Sequence, residues 1–253
     1  MCNLEKRGSV YILTFTGNDY HRLNPSIVDS ISAALHRIRS EATVTVPSSA
    51  AAFITTGESN FFSNGGDISL VDSNKDRLLL MMSKVRSVLT DLIFLSMPTI
   101  AVVNGLATGT GFMLALNYDY VFMRKDDIGF FHMGGLDSKT VIPTLFFRVK
   151  LKAKISSPAV WTDIVMKAEK MTAENAMEKG IVDAVYDTLE ETVIAAVELG
   201  EQLVRRNWNG KGYVENRKFI SNVVLHDQLS IVPTQGLIPN HPHQTIKGAE
   251  SRL

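Results

Sequence analysis

Two glycine-rich turns are the segments of this sequence whose residue types could do chemistry. One is Phe-Phe-Ser-Asn-Gly-Gly-Asp at 61–67, and the other spans 104–111. Small residues let backbone N–H groups approach a ligand closely. The second turn also leads into an apolar helix, whose unpaired first N–H groups and dipole favour negative charge. Together the turns could form an oxyanion hole, in which N–H groups stabilise the negative charge that develops on a carbonyl oxygen.

Glycine-rich turns also bind nucleotides, but the sequence disfavours that alternative. Gly109-Thr110-Gly111 has Leu114 where a dinucleotide fingerprint needs its third Gly or Ala, and no Gly-Lys-Ser/Thr sequence exists. Either turn alone would more often be only a tight turn. Their order and their spacing of about 45 residues favour a shared site.

Strands and helices alternate along the chain, and each glycine-rich turn follows a strand. Apolar runs predict strands at 10–16, 51–55, 99–103 and 120–123. Apolar residues at helical spacing predict helices at 25–38, 78–95 and 112–116. Strands that alternate with helices are normally parallel, with the helices as crossovers. The pattern therefore predicts an α/β fold.

The C-terminal part is predicted to be helical and then irregular. Capping signals indicate a helix at 173–179 that Gly180 ends, and Thr188 with Glu191 forms a capping box for a long helix to about 206. From about 225, scattered Pro, Gly, Asn and His without periodicity indicate a flexible tail. We therefore divide the chain into a core with the active site at 1–185, a helical region at 186–224 and a tail at 225–253.

Composition excludes several classes of function. The chain has 253 residues, 45% of them hydrophobic, which is enough for one substantial core. Lys plus Arg and Asp plus Glu both number 26, so no general attraction to nucleic acid or to an anionic membrane is expected. The single cysteine, Cys2, excludes an internal disulfide and a Cys-based zinc site. The first nine residues include Glu5, Lys6 and Arg7 and hold no apolar run, so we expect no signal peptide. No apolar run of about 18 residues exists, so we expect no membrane span.

Four ordered motifs resemble a known protein family. They are Phe-Phe-Ser-Asn-Gly-Gly-Asp at 61–67, Pro-Thr-Ile-Ala-Val-Val-Asn-Gly at 98–105, Asp-Tyr-Val-Phe-Met-Arg-Lys-Asp at 119–126, and Met-Thr-Ala-Glu-Asn-Ala at 171–176 with Gly-Ile-Val-Asp at 180–183. Over about residues 1–220 the chain is similar to the enoyl-CoA hydratase/isomerase (crotonase) family, and within it to the Δ3,Δ2-enoyl-CoA isomerases of plant peroxisomes. The resemblance implies a crotonase-like β-β-α spiral and C-terminal helices that support a homotrimer or hexamer.

The same resemblance implies chemistry on an acyl-CoA thioester. The oxyanion-hole donors would be the backbone N–H groups of Gly66 and Thr110. The residues in contact with the substrate would be Asn64, Gly65, Asp67, Gly109 and Gly135. No metal or cofactor is implied beyond coenzyme A, which is part of the substrate. Thr110 stands where the family has Gly or Ala. This change keeps the backbone N–H donor, but the larger side chain would narrow the cavity beside the thioester.

The family's proton-transfer residues are not evident in this sequence. Hydratases use two glutamates, whereas isomerases mainly use one, which takes a proton from C2 and returns it at C4. Met113 occupies the first hydratase position, and aligning Asp137 and Pro143 with the isomerase segment places Gly135 where the glutamate should be. Because a missing base costs about 10²–10⁴ in rate, another group must substitute. His132, Asp137 and Lys139 are the nearby candidates. Of these we take His132 and Asp137 as the candidate bases, because a lysine more often stays solvated.

Three interpretations follow from this departure. The first is an enzyme of the enoyl-CoA isomerase type, with an enolate in the oxyanion hole and a relocated base. The second is a diverged crotonase with a different reaction on a specialised acyl-CoA, and the third is a non-catalytic acyl-CoA-binding pseudoenzyme. We expect the first.

The last three residues, Ser251-Arg252-Leu253, resemble the peroxisomal address Ser-Lys-Leu. They predict binding to the peroxisomal import receptor and a location in the peroxisome.

Overall fold

The computed structural model describes residues 1–17, 20–44, 51–67, 75–125, 129–134, 151–207 and 209–226. Within these ranges the strands are β1 (Cys2–Arg7), β2 (Val10–Phe15), β3 (Ala52–Gly57), β4 (Phe61–Ser63), β5 (Thr99–Val103), β6 (Leu106–Thr108), β7 (Tyr120–Arg124), β8 (Phe131–His132) and β9 (Ala184–Tyr186). The helices are α1 (Pro25–Val44), α2 (Lys75–Ile93), α3 (Thr110–Leu116), α4 (Pro158–Trp161), α5 (Ala173–Glu178), α6 (Leu189–Arg205) and α7 (Gly210–His226). A π-helical turn, Thr162–Met166, continues α4.

The strands form two sheets. The larger has the order β1-β2-β3-β5-β7-β9, and the smaller has the order β4-β6-β8. Only the β1–β2 pair is antiparallel among the described strands. The chain repeatedly places one strand in the large sheet and the next in the small sheet. Each repeat runs parallel to the one before it. The second strands of the repeats, β4, β6 and β8, therefore lie side by side in the small sheet.

The large sheet is buried on both faces, as parallel sheets normally are. On one face, alternate residues of β2 such as Leu13 and Phe15 pack against α1 and α2 in the main core. On the other face, Val10, Ile12 and Ile54 pack with α6 in a second cluster. This double burial fixes the strand register, because a shift by one residue would exchange the two faces.

Helix α7 is fixed to the core by a buried ion pair. The Arg217 Nε and Nη2 atoms lie 2.8 and 2.6 Å from the Asp119 carboxylate, and the guanidinium also donates to the carbonyls at the end of α2. The Thr99 N–H and the Tyr213 hydroxyl donate to the same carboxylate at 2.9 and 2.8 Å. Burial by itself would raise the pKa of the Asp119 carboxyl, but Arg217 and these hydrogen bonds outweigh it and lower that pKa. Asp119 is therefore a structural carboxylate.

The structure bears out the capping signals read from the sequence. Thr188 and Glu191 form the predicted capping box at the start of α6. Thr172 accepts a hydrogen bond from the Asn175 N–H at the start of α5, and Gly180 follows that helix in a left-handed conformation. Strand β9 follows this helix at Ala184–Tyr186. The division at 185 and at 224 stays a prediction, and of the tail only residues 225 and 226 are described.

Two kinds of strand were not predicted, and neither were α4 and the π-helical turn that continues it. Strand β1 is a half-exposed edge strand with several charged residues, so its apolar pattern is weak. The strands of the small sheet have only two or three residues each, which is too short for a periodic signal. In the described part of the chain, no helix combines the length and the apolar character needed to cross a membrane.

Candidate active site

The first glycine-rich turn follows β4 and lies against the segment that precedes α1. The Leu23 N–H donates to the Gly65 carbonyl at 2.8 Å, and the Asn64 N–H donates to the Tyr20 carbonyl at 3.0 Å. Gly65 has φ +75°, and a Cβ there would lie 2.9 Å from the Thr108 carbonyl oxygen. Only glycine fits this position without strain, because the backbone is left-handed and closely approached.

The second turn joins β6 to α3. Gly109 has φ +47°, and its N–H donates to the His132 carbonyl at 2.8 Å. The same residue occupies the N-cap position of α3 and offers no side-chain acceptor to the first turn of that helix. The first N–H groups of α3 therefore have no cap from this residue and are available to an external acceptor.

The two turns meet. A Cβ placed on Gly66 would lie 3.7 Å from the Thr110 hydroxyl oxygen, and the Thr108 hydroxyl donates to the Asn64 side-chain oxygen at 3.0 Å. Gly66 and Thr110 are both partly exposed. In the part of the chain that the structure describes, neither the Gly66 N–H nor the Thr110 N–H donates to a backbone carbonyl. The predicted donors therefore lie on adjacent, partly exposed residues, and among the described residues neither is paired with a backbone carbonyl.

Ser63 and Gly111 set the separation of the turns. A Cβ on Gly111 would lie 2.3 Å from the Ser63 carbonyl oxygen, so the backbones are in direct contact at this point. Ser63 is fully buried and its hydroxyl donates to the His21 carbonyl at 2.8 Å. The contact is rigid, because neither partner is a side chain that can move away.

An apolar wall borders the two turns. Every residue of α3 from Gly111 to Leu116 is buried, and Phe112 stacks on Phe131 at 4.4 Å between ring centroids. A small apolar cleft lies between α1, α2 and α3 and is lined by residues that include Leu23, Val88 and Leu114. Such surroundings strengthen hydrogen bonds to a developing charge, because they exclude water.

The family model for enoyl-CoA hydratase/isomerase matches residues 5–211. The chain belongs to the enoyl-CoA hydratase/isomerase family. It is 43% identical over 225 residues to "Enoyl-CoA delta isomerase 1, peroxisomal" from Arabidopsis thaliana, covering 89% of this chain and 91% of that protein. Identities of 39% and 38% relate it to enoyl-CoA delta isomerase 3 and to the peroxisomal enoyl-CoA delta isomerase 2 of the same plant, each alignment covering 86% of this chain and 91% of the relative.

Solved structures show the same fold. An enoyl-CoA isomerase from Mycobacterium tuberculosis matches with a TM-score of 0.77 at 15% identity, over 88% of this chain and 92% of that one. A family member from Pseudomonas syringae matches with a TM-score of 0.77 at 18% identity, over 94% and 98% of the two chains. The predicted crotonase-like α/β fold is confirmed.

His132 lies next to the second turn of this crotonase site. It is 9% exposed, pairs with Thr108 in the small sheet, and its ring lies edge-on to Phe130 at 6.1 Å. The His132 carbonyl accepts from the Gly109 N–H, so the His132 backbone positions the second turn. This role is independent of the imidazole ring. The catalytic role of the ring stays a prediction.

The remaining predicted residues divide into two groups. The Asn64 side chain accepts from Thr108, the Asp67 N–H donates to the Leu23 carbonyl at 3.4 Å, and Met113 is buried in α3. Gly135, Asp137 and the nearby Lys139 lie outside the described residues. The replacement of the family glutamate by Gly135 therefore remains a sequence-based prediction.

Sequence reasoning missed the residues that hold the two turns together. His21, Ser63 and Thr108 all make direct hydrogen bonds at the site. Ser63 and Thr108 belong to the two predicted turns, but the sequence offered no signal for these bonds, because each joins segments that lie more than 35 residues apart.

Proposed function

We propose that this crotonase is an enoyl-CoA isomerase-type enzyme, which shifts the double bond of an acyl-CoA thioester through an enolate. The observation that supports the proposal is the adjacency of the two glycine-rich turns, since a Cβ on Gly66 would lie 3.7 Å from the Thr110 hydroxyl oxygen and both residues are partly exposed. The names of the three Arabidopsis relatives support the same reaction.

In the proposed reaction the thioester oxygen accepts hydrogen bonds from the Gly66 and Thr110 N–H groups. These bonds strengthen as a proton leaves C2, because the electron pair of the broken C–H bond delocalises onto that oxygen. Return of a proton at C4 restores the neutral thioester with the double bond moved to C2–C3. Coenzyme A enters as part of the substrate, and the scheme uses no other cofactor and no metal.

The proton carrier in this scheme is a group other than a glutamate at position 135. His132 and Asp137 are our candidates, and Gly109 and Asn64 contribute by holding the donor turns in place. The Thr110 side chain lies at the edge of the hole, where it restricts the width available to the acyl group.

The test is incubation with 3-enoyl-CoA and 2-enoyl-CoA in deuterated buffer, followed by mass spectrometry. We expect double-bond migration with deuterium at C2 or C4, because the proton passes through an exchangeable group. The Gly135→Glu variant is the gain-of-function control, and we expect it to raise the rate by up to about 10²–10⁴ if the missing glutamate limits turnover. Absence of both migration and exchange in a protein that binds these ligands would contradict the isomerase proposal. Full activity in the His132→Ala, Asp137→Ala double variant would exclude the two candidate bases.

We propose a homotrimer or hexamer as the assembled form. The exposed face of α7 supports this proposal, because Phe219 is 81% exposed and Ile220 is 66% exposed, with Phe94 of the adjoining α2 end region 38% exposed. Apolar side chains as exposed as Phe219 and Ile220 are often found on surfaces that another chain covers.

We propose the peroxisome as the location. Two of the Arabidopsis relatives carry the word peroxisomal in their names. The candidate address, Ser251-Arg252-Leu253, lies outside the described residues and would be read by the import receptor. We expect a fluorescent protein fused in front of the full chain to enter peroxisomes and a fusion without these three residues to stay in the cytosol. An unchanged distribution after the deletion would exclude the tripeptide as the address.

A further inference from the structure

His21 is a fully buried polar residue beside the first glycine-rich turn. Its side chain is 0% exposed, and its ring lies edge-on to Phe15 at 6.2 Å between centroids. The Nδ1 atom lies 2.8 Å from the Phe61 carbonyl oxygen. Because a carbonyl only accepts, Nδ1 carries the hydrogen of this bond.

The other ring nitrogen of His21, Nε2, lies in an energetically unfavourable environment. Nε2 is buried and has no hydrogen-bond partner among the described residues. A buried polar atom without a partner costs stability, so an apolar side chain would be the better choice if this position only filled space. The presence of histidine here indicates that the Nδ1 donor has a specific use.

The backbone around His21 is also unfavourable. Tyr20 and His21 have φ values of 58° and 52°, the left-handed region that side chains other than glycine seldom adopt. This conformation directs both carbonyls at the first turn, where Tyr20 accepts from the Asn64 N–H and His21 accepts from the Ser63 hydroxyl. Strain of this kind persists only where surrounding contacts enforce it.

These contacts lead directly to the oxyanion hole. Through its ring His21 holds the start of β4 at Phe61, and through its carbonyl it holds Ser63 at the end of the same strand. Ser63 in turn touches Gly111 of α3, and the Gly65–Leu23 hydrogen bond fixes the residue before Gly66. A shift of β4 would therefore move the Gly66 N–H relative to the Thr110 N–H.

We propose that His21 is a positioning residue of the oxyanion hole, which holds the Gly66 N–H where an enolate oxygen can accept from it and from Thr110 together. This inference rests on the proposed function, because it assumes that the two N–H groups bind a thioester oxygen. The imidazole acts through β4 and does not touch the substrate.

The test compares two coenzyme A ligands. Butanoyl-CoA represents the neutral thioester, and acetoacetyl-CoA represents the enolate, because its acidic C2 lets it bind with negative charge on oxygen. Their affinity ratio reports how well the hole recognises charge, and it is insensitive to the fraction of protein that is folded. His21→Leu removes the Nδ1 donor. His21→Asn keeps an amide N–H near the Nδ1 position, and asparagine tolerates a left-handed backbone.

In His21→Leu we expect the preference for acetoacetyl-CoA over butanoyl-CoA to fall by about 10-fold or more, with butanoyl-CoA affinity nearly unchanged. We expect His21→Asn to keep most of the preference. If His21→Leu does not fold, Ser63→Ala, which deletes the donor to the His21 carbonyl, should lower the same ratio. An unchanged affinity ratio in the folded variants, or an equal loss in His21→Asn and His21→Leu, would overturn the inference about His21 and leave the proposed function intact. Failure of the wild-type protein to bind either ligand would overturn the proposed function, and the inference with it.

Discussion

Replacement of Gly111 by alanine is expected to lower kcat/KM for 3-enoyl-CoA by about 10²–10³, the usual effect of losing one oxyanion-hole donor. The added Cβ would lie 2.3 Å from the Ser63 carbonyl oxygen and 2.7 Å from the Ser63 Cβ. Both partners are held by buried backbone, so the start of α3 must move away from the first turn by about an ångström. The Thr110 N–H moves with it, and the two donors no longer reach one oxygen.

The same change is expected to cost about 1–3 kcal/mol of stability, as overpacked sites commonly do. Activity is therefore measured on the folded fraction, with acetoacetyl-CoA affinity as a second readout. The matched control is Gly212→Ala on α7, where an added Cβ meets nothing within 4 Å. This control should keep wild-type activity and gain about 0.4–1 kcal/mol of stability. A folded Gly111→Ala protein with wild-type kcat/KM would show that the spacing of the turns does not control catalysis.

Replacement of Arg217 by methionine is expected to lower the free energy of unfolding by about 3–5 kcal/mol. The methionine side chain replaces much of the lost volume but leaves the Asp119 carboxylate buried without its cation. It also leaves the carbonyls at the end of α2 without the guanidinium donors. Denaturant unfolding measures the loss, and α7 should become the first helix to lose protection from hydrogen exchange.

The contribution of Asp119 to the free energy of unfolding should change with pH in opposite directions in this variant and in the wild type. In the wild type the pKa of Asp119 is lowered, so the stability it contributes is present above its unfolded pKa of about 3.9 and is lost as pH falls through the lower folded value. In Arg217→Met the burial of Asp119 is no longer offset, and burial raises the pKa of a carboxyl. Acidification from neutral pH should therefore stabilise the variant, because the buried carboxyl can take up a proton.

Two further variants test the cause. In the Asp119→Asn, Arg217→Met double variant we expect recovery of much of the lost stability, because the amide carries no charge and still accepts from Thr99 and Tyr213. Lys218→Met is the matched control on the next residue of α7, where the lysine makes a surface ion pair with Glu215 at 2.8 Å and lies 5.0 Å from the centroid of the Phe94 ring. Its effect should stay within about 0.5 kcal/mol. Equal losses in Arg217→Met and Lys218→Met would contradict a special role for the buried pair.

The sequence was sufficient to predict features that depend on residues close together in the chain. The capping box of Thr188 and Glu191 and the stop at Gly180 are formed within one or two helical turns, and both are present in the structure. The glycine-rich turns were recognised for the same reason, since their residue types and order lie in short stretches of sequence. The family and its fold followed from these ordered motifs.

Tertiary structure alone decided which residues meet when they are far apart in the sequence. The ion pair of Asp119 with Arg217 joins residues 98 positions apart, and the anchor from His21 to Phe61 joins residues 40 apart. Neither has a periodicity or a local motif, because such contacts depend on the path of the whole chain. By itself the sequence predicted which backbone donors could stabilise an enolate, and the replacement of the usual glutamate by Gly135 stays a prediction. The fold decided that the turns of Gly66 and Thr110 lie side by side, because the packing of Ser63 against Gly111 and the Thr108–Asn64 hydrogen bond set the distance between two turns that are remote in sequence.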